Sequence, residues 1–245
     1  ETIYGWRTVS DFPDIYLPGE KEELHASHFI HEQGRVCNLS SDWAGVLQGG
    51  LLRRRGTGEA RDITIDAVIA YADRYEDPEL SEAVRYGAKD MKTALNMFRI
   101  LHMCLWASNV YHNTIGRFDQ YMYPYYKADI EKGILTPEKA MELIEELYIR
   151  VTSNVWFQSP QMAYIFGGYY RYPHLDVGGL DENGKDASNE LSYLCLRAMR
   201  YAKTTSPAVS ILLHQKTPDS LLYEACELAA EGMGHPSFFN CEGLY

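Results

Sequence analysis

Residues 177–194, VGGLDENGKDASNELSYL, carry the signals for a strand, a turn and a helix in immediate succession. The apolar run LDVGGL over 175–180 is typical of a buried strand, and SNELSYLCLRAMRYAK over 188–203 has the apolar spacing of a helix. Between the two, Asn183-Gly184 favours a tight turn. The stretch therefore predicts one β/α unit.

The acidic turn in this unit invites comparison with known ligand loops. A calcium loop counted from Asp181 fails, because Gly184 falls at position 4 instead of 6 and Ser192 stands where Glu is needed. A phosphate loop is also a poor match, because the glycine pair precedes the turn and not the helix start. The polar residues are better explained by the turn itself and by Asp186 or Ser188 acting as the helix N-cap.

The same rhythm continues to the end of the sequence. AVSILL over 208–213 is strand-like, residues 217–232 are helical with Thr217 as the expected N-cap, and PSFFN over 236–240 is a last short strand. Alternating strands and helices predict parallel strands joined by right-handed crossovers. The fold class is therefore α/β, and ligand chemistry is expected beyond the C-terminal strand ends.

The preceding part of the chain is mainly helical in its pattern. One helical stretch is predicted from Pro78 to about Asn113, and another over 117–133 is interrupted by Pro124. A third, LTPEKAMELIEELYIRV, begins with Thr136 as N-cap. The expected organisation is one domain: an irregular N-terminal part over 1–60, a mainly helical part over 61–165 and βαβαβ units over 166–245.

Bulk composition excludes several classes of protein. The 245 residues carry a formal net charge of −11, which argues against a nucleic-acid or anionic-membrane partner. The short basic run Arg53–Arg55 is better explained as a solvated loop. Five cysteines without a CxxC pair predict reduced thiols in a cytoplasmic protein, and no apolar run approaches the ~18 residues of a membrane span.

Histidines offer few candidate sites. His25, His28 and His31 have a spacing compatible with metal ligands, but no carboxylate or thiol cluster accompanies them, so no metal site is predicted. Tyr111 and His112 lie where the long helix is expected to end, in an aromatic neighbourhood typical of a pocket. A structural role facing a loop is equally compatible with these two residues.

Three long blocks resemble the glycyl radical enzymes, the family of pyruvate formate-lyase and of related lyases and decarboxylases. They are SNVYHNTIGRFDQYMYPYYKADIEKGILT over 108–136, the stretch over 177–194, and the segment from Pro207 to Asn240. A less secure match is SDWAGVLQGGL over 41–51. The resemblance implies that the β/α units are part of a ten-stranded α/β barrel with a large helical layer.

The resemblance also implies a reaction. In the family, a radical-SAM activase installs a radical on a backbone glycine, and the radical passes to a cysteine inside the barrel. The resulting thiyl abstracts hydrogen from a small organic substrate, which then undergoes C–C or C–heteroatom cleavage. No bound cofactor is expected, and the expected enzyme is a cytoplasmic homodimer.

The motifs that carry the radical are absent from this sequence. It has no Gly-Cys-x-Glu motif, and its Gly168-Tyr169 has Ile165 where the family's glycine motif needs Arg. We therefore expect the radical cysteine and glycine downstream of Tyr245, and the chain by itself to be inactive. The rest of the barrel must come from further polypeptide or from a complementing chain, because a partial barrel exposes strand edges.

Two other functions remain open at this stage. The first is formate C-acetyltransferase activity, as in pyruvate formate-lyase itself. The second is a catalytically incomplete relative that serves as a binding or scaffold partner.

The resemblance suggests substrate-binding residues but no catalytic residue within the chain. In several family lyases a Gly-His-Ser precedes the Arg-Phe-Asp-Gln block, and Val110, Tyr111 and His112 occupy the matching positions. His174, just ahead of the strand that ends in the glycine pair, is the other candidate. Tyr111, His112 and His174 are therefore the predicted substrate-binding residues.

Overall fold

The computed structural model describes residues 18–19, 22–23, 35–36, 40–107, 110–111, 113–153 and 173–243. Its helices are α1 Trp43–Gly49, α2 Glu59–Asp73, α3 Pro78–Tyr86, α4 Met91–Ala107, α5 Phe118–Tyr121, α6 Tyr123–Glu131, α7 Pro137–Thr152, α8 Glu190–Ala202 and α9 Asp219–Ala230. Single 3₁₀ turns occur at Leu52–Arg54 and Cys241–Gly243. No helix in these residues is both long and apolar enough to cross a bilayer.

The strands form two parallel sheets. The smaller pairs β1 Arg35–Val36 with β2 Val110–Tyr111. The larger has the order β3-β4-β5-β6, with β3 Gly116–Arg117, β4 His174–Gly178, β5 Ala208–Leu213 and β6 Ser237–Asn240. Each strand is added beside the one before it, so right-handed crossovers place the connecting helices on one face of the sheet.

The two faces of this sheet differ in composition. Leu175, Val177, Val209 and Ile211 alternate along β4 and β5 and are fully buried in the hydrophobic core. That core includes apolar residues of α7, α8 and α9, such as Leu147, Leu194, Leu196, Leu221 and Leu228. The helices therefore cover this face, and the alternate residues lie on the opposite one.

Two predicted helix caps differ from the observed ones. Thr136 caps α7 as predicted, accepting from the Lys139 N–H at 3.3 Å. Helix α8 is capped by Asn189, in a capping box with Ser192, and not by Asp186 or Ser188. Thr217 does not cap α9 either, because its hydroxyl accepts the His214 N–H instead.

The helical part also departs from its predicted bounds. The single stretch expected from Pro78 to Asn113 is two helices, which separate at Gly87. This residue has φ +112°, and a Cβ there would lie 2.2 Å from the Gln48 carbonyl oxygen. The close approach of α1 and the end of α3 therefore requires glycine. Within the part expected to be irregular, α1 forms because Asp42 accepts the Gly45 N–H at 2.9 Å.

Candidate functional site

The segment Arg117–Gln120 holds the turn between β4 and α8 in place. Arg117 donates to the carbonyl oxygens of Gly178 at 2.8 Å and Leu180 at 2.7 Å. Gln120 donates to the carbonyl of Ala187 at 2.9 Å, and Asn189 donates to that of Asp119 at 2.9 Å. Two of the blocks singled out in the sequence therefore form one hydrogen-bonded unit at the C-terminal end of the sheet.

Asp119 is the buried charge of this unit. Its side chain is fully buried and accepts from the Gly178 N–H at 2.7 Å and from the Ser192 hydroxyl. Burial raises the pKa of Asp119 to about 6, although these hydrogen bonds and the nearby Arg117 favour its charged form. Asp119 lies in the Arg-Phe-Asp-Gln block that resembles the family, but the sequence alone predicts no role for it.

The glycine pair at the end of β4 allows this strand end to lie close to Leu212 of β5 and to Cys241. Gly178 and Gly179 have φ +74° and +85°, and a Cβ on Gly179 would lie 3.1 Å from Leu212 Cβ and 3.3 Å from Cys241 Sγ. The turn that follows is held by Asp181, which accepts the N–H groups of Asn183 and Lys185 at 2.8 Å. The interpretation of this stretch as turn chemistry is confirmed.

A histidine–aspartate pair joins two loops at the same end of the sheet. His214 Nε2 lies 3.1 Å from Asp186 Oδ1, and the Ser188 hydroxyl donates to the same oxygen at 2.8 Å. His214 Nδ1 accepts the Lys216 N–H, so the proton of the neutral imidazole is on Nε2 and is directed at Asp186. The sequence signal for this pair was that His214 directly follows a predicted strand.

The face of the sheet opposite the helices carries a row of polar residues. Strand register aligns Arg117, Asp176, Ser210 and Ser237 across the four strands. His174 lies on the same face, with Nδ1 3.3 Å from the Ser210 hydroxyl and its ring 6.5 Å from that of Phe239. Burial raises the pKa of Asp176, while His174, the Ser210 hydroxyl and the Arg117 charge oppose that shift.

Of the three predicted substrate-binding residues, two lie in different sheets and the third lies outside the described residues. His174 lies on this polar face, in β4. Tyr111 lies in β2, beside Val36 of β1, after the end of the long helix. His112 lies outside the described residues, as do His25, His28, His31 and the pair Gly168-Tyr169. Within the described ranges, no group of three or more acidic, histidine or cysteine side chains is arranged to hold a metal.

Comparisons with known proteins match both sequence and fold. A family profile described as "Pyruvate formate lyase-like" matches residues 79–245. The glycyl radical subunit of 4-hydroxyphenylacetate decarboxylase from Clostridioides difficile is 38% identical over 130 residues, which cover 52% of this chain and 14% of that protein. The trans-4-hydroxy-L-proline dehydratase of the same species is 33% identical over 134 residues, covering 54% of this chain and 17% of that protein.

A solved structure confirms the fold class. The glycerol-bound B12-independent glycerol dehydratase from Clostridium butyricum superposes with a TM-score of 0.74 at 27% identity, covering 91% of this chain and 36% of that one. The predicted partial α/β barrel with its helical layer is therefore confirmed. The matches span 14% and 17% of the two curated relatives and 36% of the solved chain.

Proposed function

The chain belongs to the pyruvate formate lyase-like family, and on that premise we propose that it forms part of a glycyl radical enzyme of the lyase, decarboxylase and dehydratase group. The observation that carries the proposal is the match over residues 79–245, which includes the whole four-stranded sheet. The matched relatives are a decarboxylase subunit and dehydratases, which favours this group over formate C-acetyltransferase.

The radical itself would abstract the hydrogen, and the described residues would shape the wall against which the substrate binds. Arg117 and Asp119 fix the C-terminal end of β4 against α8. That constraint sets the position of the polar face, on which His174 and its neighbours would orient the substrate. The helices on the opposite face close the wall against water.

The proposal extends to residues and partners beyond the described geometry. Tyr111, His112 and His174 are proposed to contact a small organic substrate. A radical-SAM activase is the proposed partner that generates the glycyl radical, and the enzyme is proposed to be a cytoplasmic homodimer. The rest of the barrel is proposed to come from further polypeptide or from a second chain.

Electron paramagnetic resonance tests this function. The natural polypeptide that carries this chain is incubated without oxygen with its activase, S-adenosylmethionine and a reductant. A doublet typical of a glycyl radical is expected, and it should disappear on exposure to air. A sample without the activase is the control. A persistently silent sample, despite a verified active activase, would support the binding or scaffold alternative.

A further inference from the structure

We propose that Asp176 binds a hydrogen-bond-donating group of the substrate, either a hydroxyl or an ammonium. This inference rests on the proposed function, because it assumes that the substrate meets the polar face of the sheet. It assigns a chemical class to one end of the substrate: neutral or cationic, and neither carboxylate nor sulfonate.

The position of Asp176 on the sheet is the first support. It lies in β4 between Leu175 and Val177, both of which are fully buried in the core beneath the helices. Side chains alternate along a strand, so Asp176 is directed to the face without them. The residue is only partly buried, and its carboxylate is therefore within reach of a ligand on that face.

The neighbours of Asp176 leave it with acceptor capacity. The fully buried Ser210 lies in register with Asp176 on β5, and its hydroxyl favours the charged form of the carboxylate, while His174 Nδ1 lies 3.3 Å from that hydroxyl. A carboxylate has about four lone-pair sites. Among the described residues, one serine hydroxyl therefore leaves most of these sites for a donor group of a ligand.

The guanidinium of Arg117 has few donors left to bind an anionic ligand beside Asp176. Arg117 is in register with Asp176, but two of its nitrogens donate to the Gly178 and Leu180 carbonyls. Its Nε is buried and has no hydrogen-bond partner among the described residues. The Arg117 charge favours the ionised form of Asp176, but an anion placed beside this carboxylate would meet a like charge and could not be bound by the two Nη groups, which donate to main-chain oxygens.

An apolar surface next to these groups fits the carbon skeleton of the ligand. Leu212 is in register with Phe239, one step toward the C-terminal end from the Ser210–Ser237 pair. Phe239 is 39% exposed and its ring contacts that of His174. A polar row beside an apolar one is the arrangement that binds a small molecule with one donor end.

Calorimetry with three probes of the same carbon skeleton tests the assignment. The probes are propan-1-ol, propan-1-amine and propanoate, titrated into the unactivated natural polypeptide. The alcohol or the amine should bind about tenfold or more tightly than propanoate, because only those two can donate a hydrogen bond to the Asp176 carboxylate, and hydrogen bonds to a charged group are among the stronger ones. Since no radical is needed, this result is independent of the resonance experiment.

Asp176→Asn should remove most of the difference in affinity between the donor probes and the carboxylate probe. Asp219→Asn is the control and should preserve that difference, because Asp219 is an exposed carboxylate in the first turn of α9. Ser210→Ala is a second variant. It removes the hydroxyl beside the Asp176 carboxylate and should reduce the same preference among the probes. Melting curves verify that each variant is folded. Equal or tighter binding of propanoate, absence of binding by all three probes, or an unchanged preference in Asp176→Asn would each overturn the inference.

Discussion

At the scale of single residues, the glycine pair and the buried Asp119 determine how the end of β4 is built. Glycine is favoured at position 179 for two reasons, its positive φ and its close contacts with Leu212 and Cys241. Asp119 binds the adjacent Gly178 N–H through a carboxylate that is fully buried. Both features make substitutions at this point predictable in direction.

Gly179→Ala should destabilise the protein more than Gly184→Ala. Both glycines have positive φ, +85° and +69°, so each substitution has a similar backbone cost of ~1 kcal/mol. A Cβ at Gly184 meets open space, whereas one at Gly179 lies 3.1 Å from Leu212 Cβ. We expect the additional crowding to cost ~1–3 kcal/mol in urea denaturation. Equal losses for the two variants would contradict this packing.

Asp119 should make folding stability depend on pH. Its pKa is about 6 in the folded protein and near 3.8 when unperturbed, so the folded state binds the proton more tightly. The stabilisation is full below pH ~4 and is lost as the pH rises through ~6, by about 3 kcal/mol in total. Denaturation between pH 4 and 7 should therefore show a steeper decline for the wild type than for Asp119→Asn. Parallel curves would rule out this titration.

At the scale of elements, helices α8 and α9 meet through two different kinds of contact. Ion pairs cross between them on the surface, including Arg197 with Glu224 and Lys203 with Glu231. Beneath these pairs, Leu221, Ala225 and Leu228 of α9 are fully buried in the core. The buried side chains contribute more to folding stability than the ion pairs do, because exposed ion pairs are screened by water and salt.

Leu221→Ala should therefore destabilise far more than Arg197→Ala. The first removes a fully buried side chain and should cost ~2–5 kcal/mol. The second removes an ion pair whose arginine is 45% exposed, and should cost less than about 1 kcal/mol, decreasing further in high salt. Urea denaturation at low and high ionic strength measures both. A larger, salt-insensitive loss for Arg197→Ala would reverse the ranking of the two contacts.

The element level is also where the sequence was most informative. LDVGGL, AVSILL and PSFFN were all predicted as strands, because short apolar runs bounded by glycine or proline are a local signal. The cap of α8 was predicted wrongly, because the carboxylate of Asp186 binds His214, 28 positions away. Local patterns cannot reveal a competing partner at that distance along the chain.

The candidate site was less accessible to sequence reasoning. His174 was selected, but Asp176 and Ser210 were not, since their alignment depends on the register of β4 with β5. Asp119 likewise acquires its role from Gly178 and Ser192, 59 and 73 positions away. Resemblance to the family identified the correct blocks, whereas the contacts between them required the fold.

At the scale of the whole molecule, the sheet grows in one direction and ends on β6. Within the described residues, this strand pairs only with β5. Phe238 and Phe239 point to opposite faces of β6 and are 44% and 39% exposed. Such a strand edge is prone to pairing with other chains.

Residues 1–245 expressed alone should therefore associate or melt without cooperativity. Light scattering coupled to size exclusion, with a calorimetric melt, measures both properties. The natural polypeptide that carries the chain is the control, and it should melt cooperatively. A monodisperse monomer of 1–245 with a sharp transition would show that the described sheet needs no completion.

The hydrogen bonds from Arg117 and Gln120 all end on main-chain carbonyl oxygens of the turn, at Gly178, Leu180 and Ala187. The identity of the side chains at the exposed positions 182 and 185 is therefore immaterial to this anchorage. A nitroxide or fluorophore attached at Glu182 would lie on this hydrogen-bonded turn at the C-terminal end of the sheet. From there it could report on changes around this turn without disturbing the hydrogen bonds beneath it.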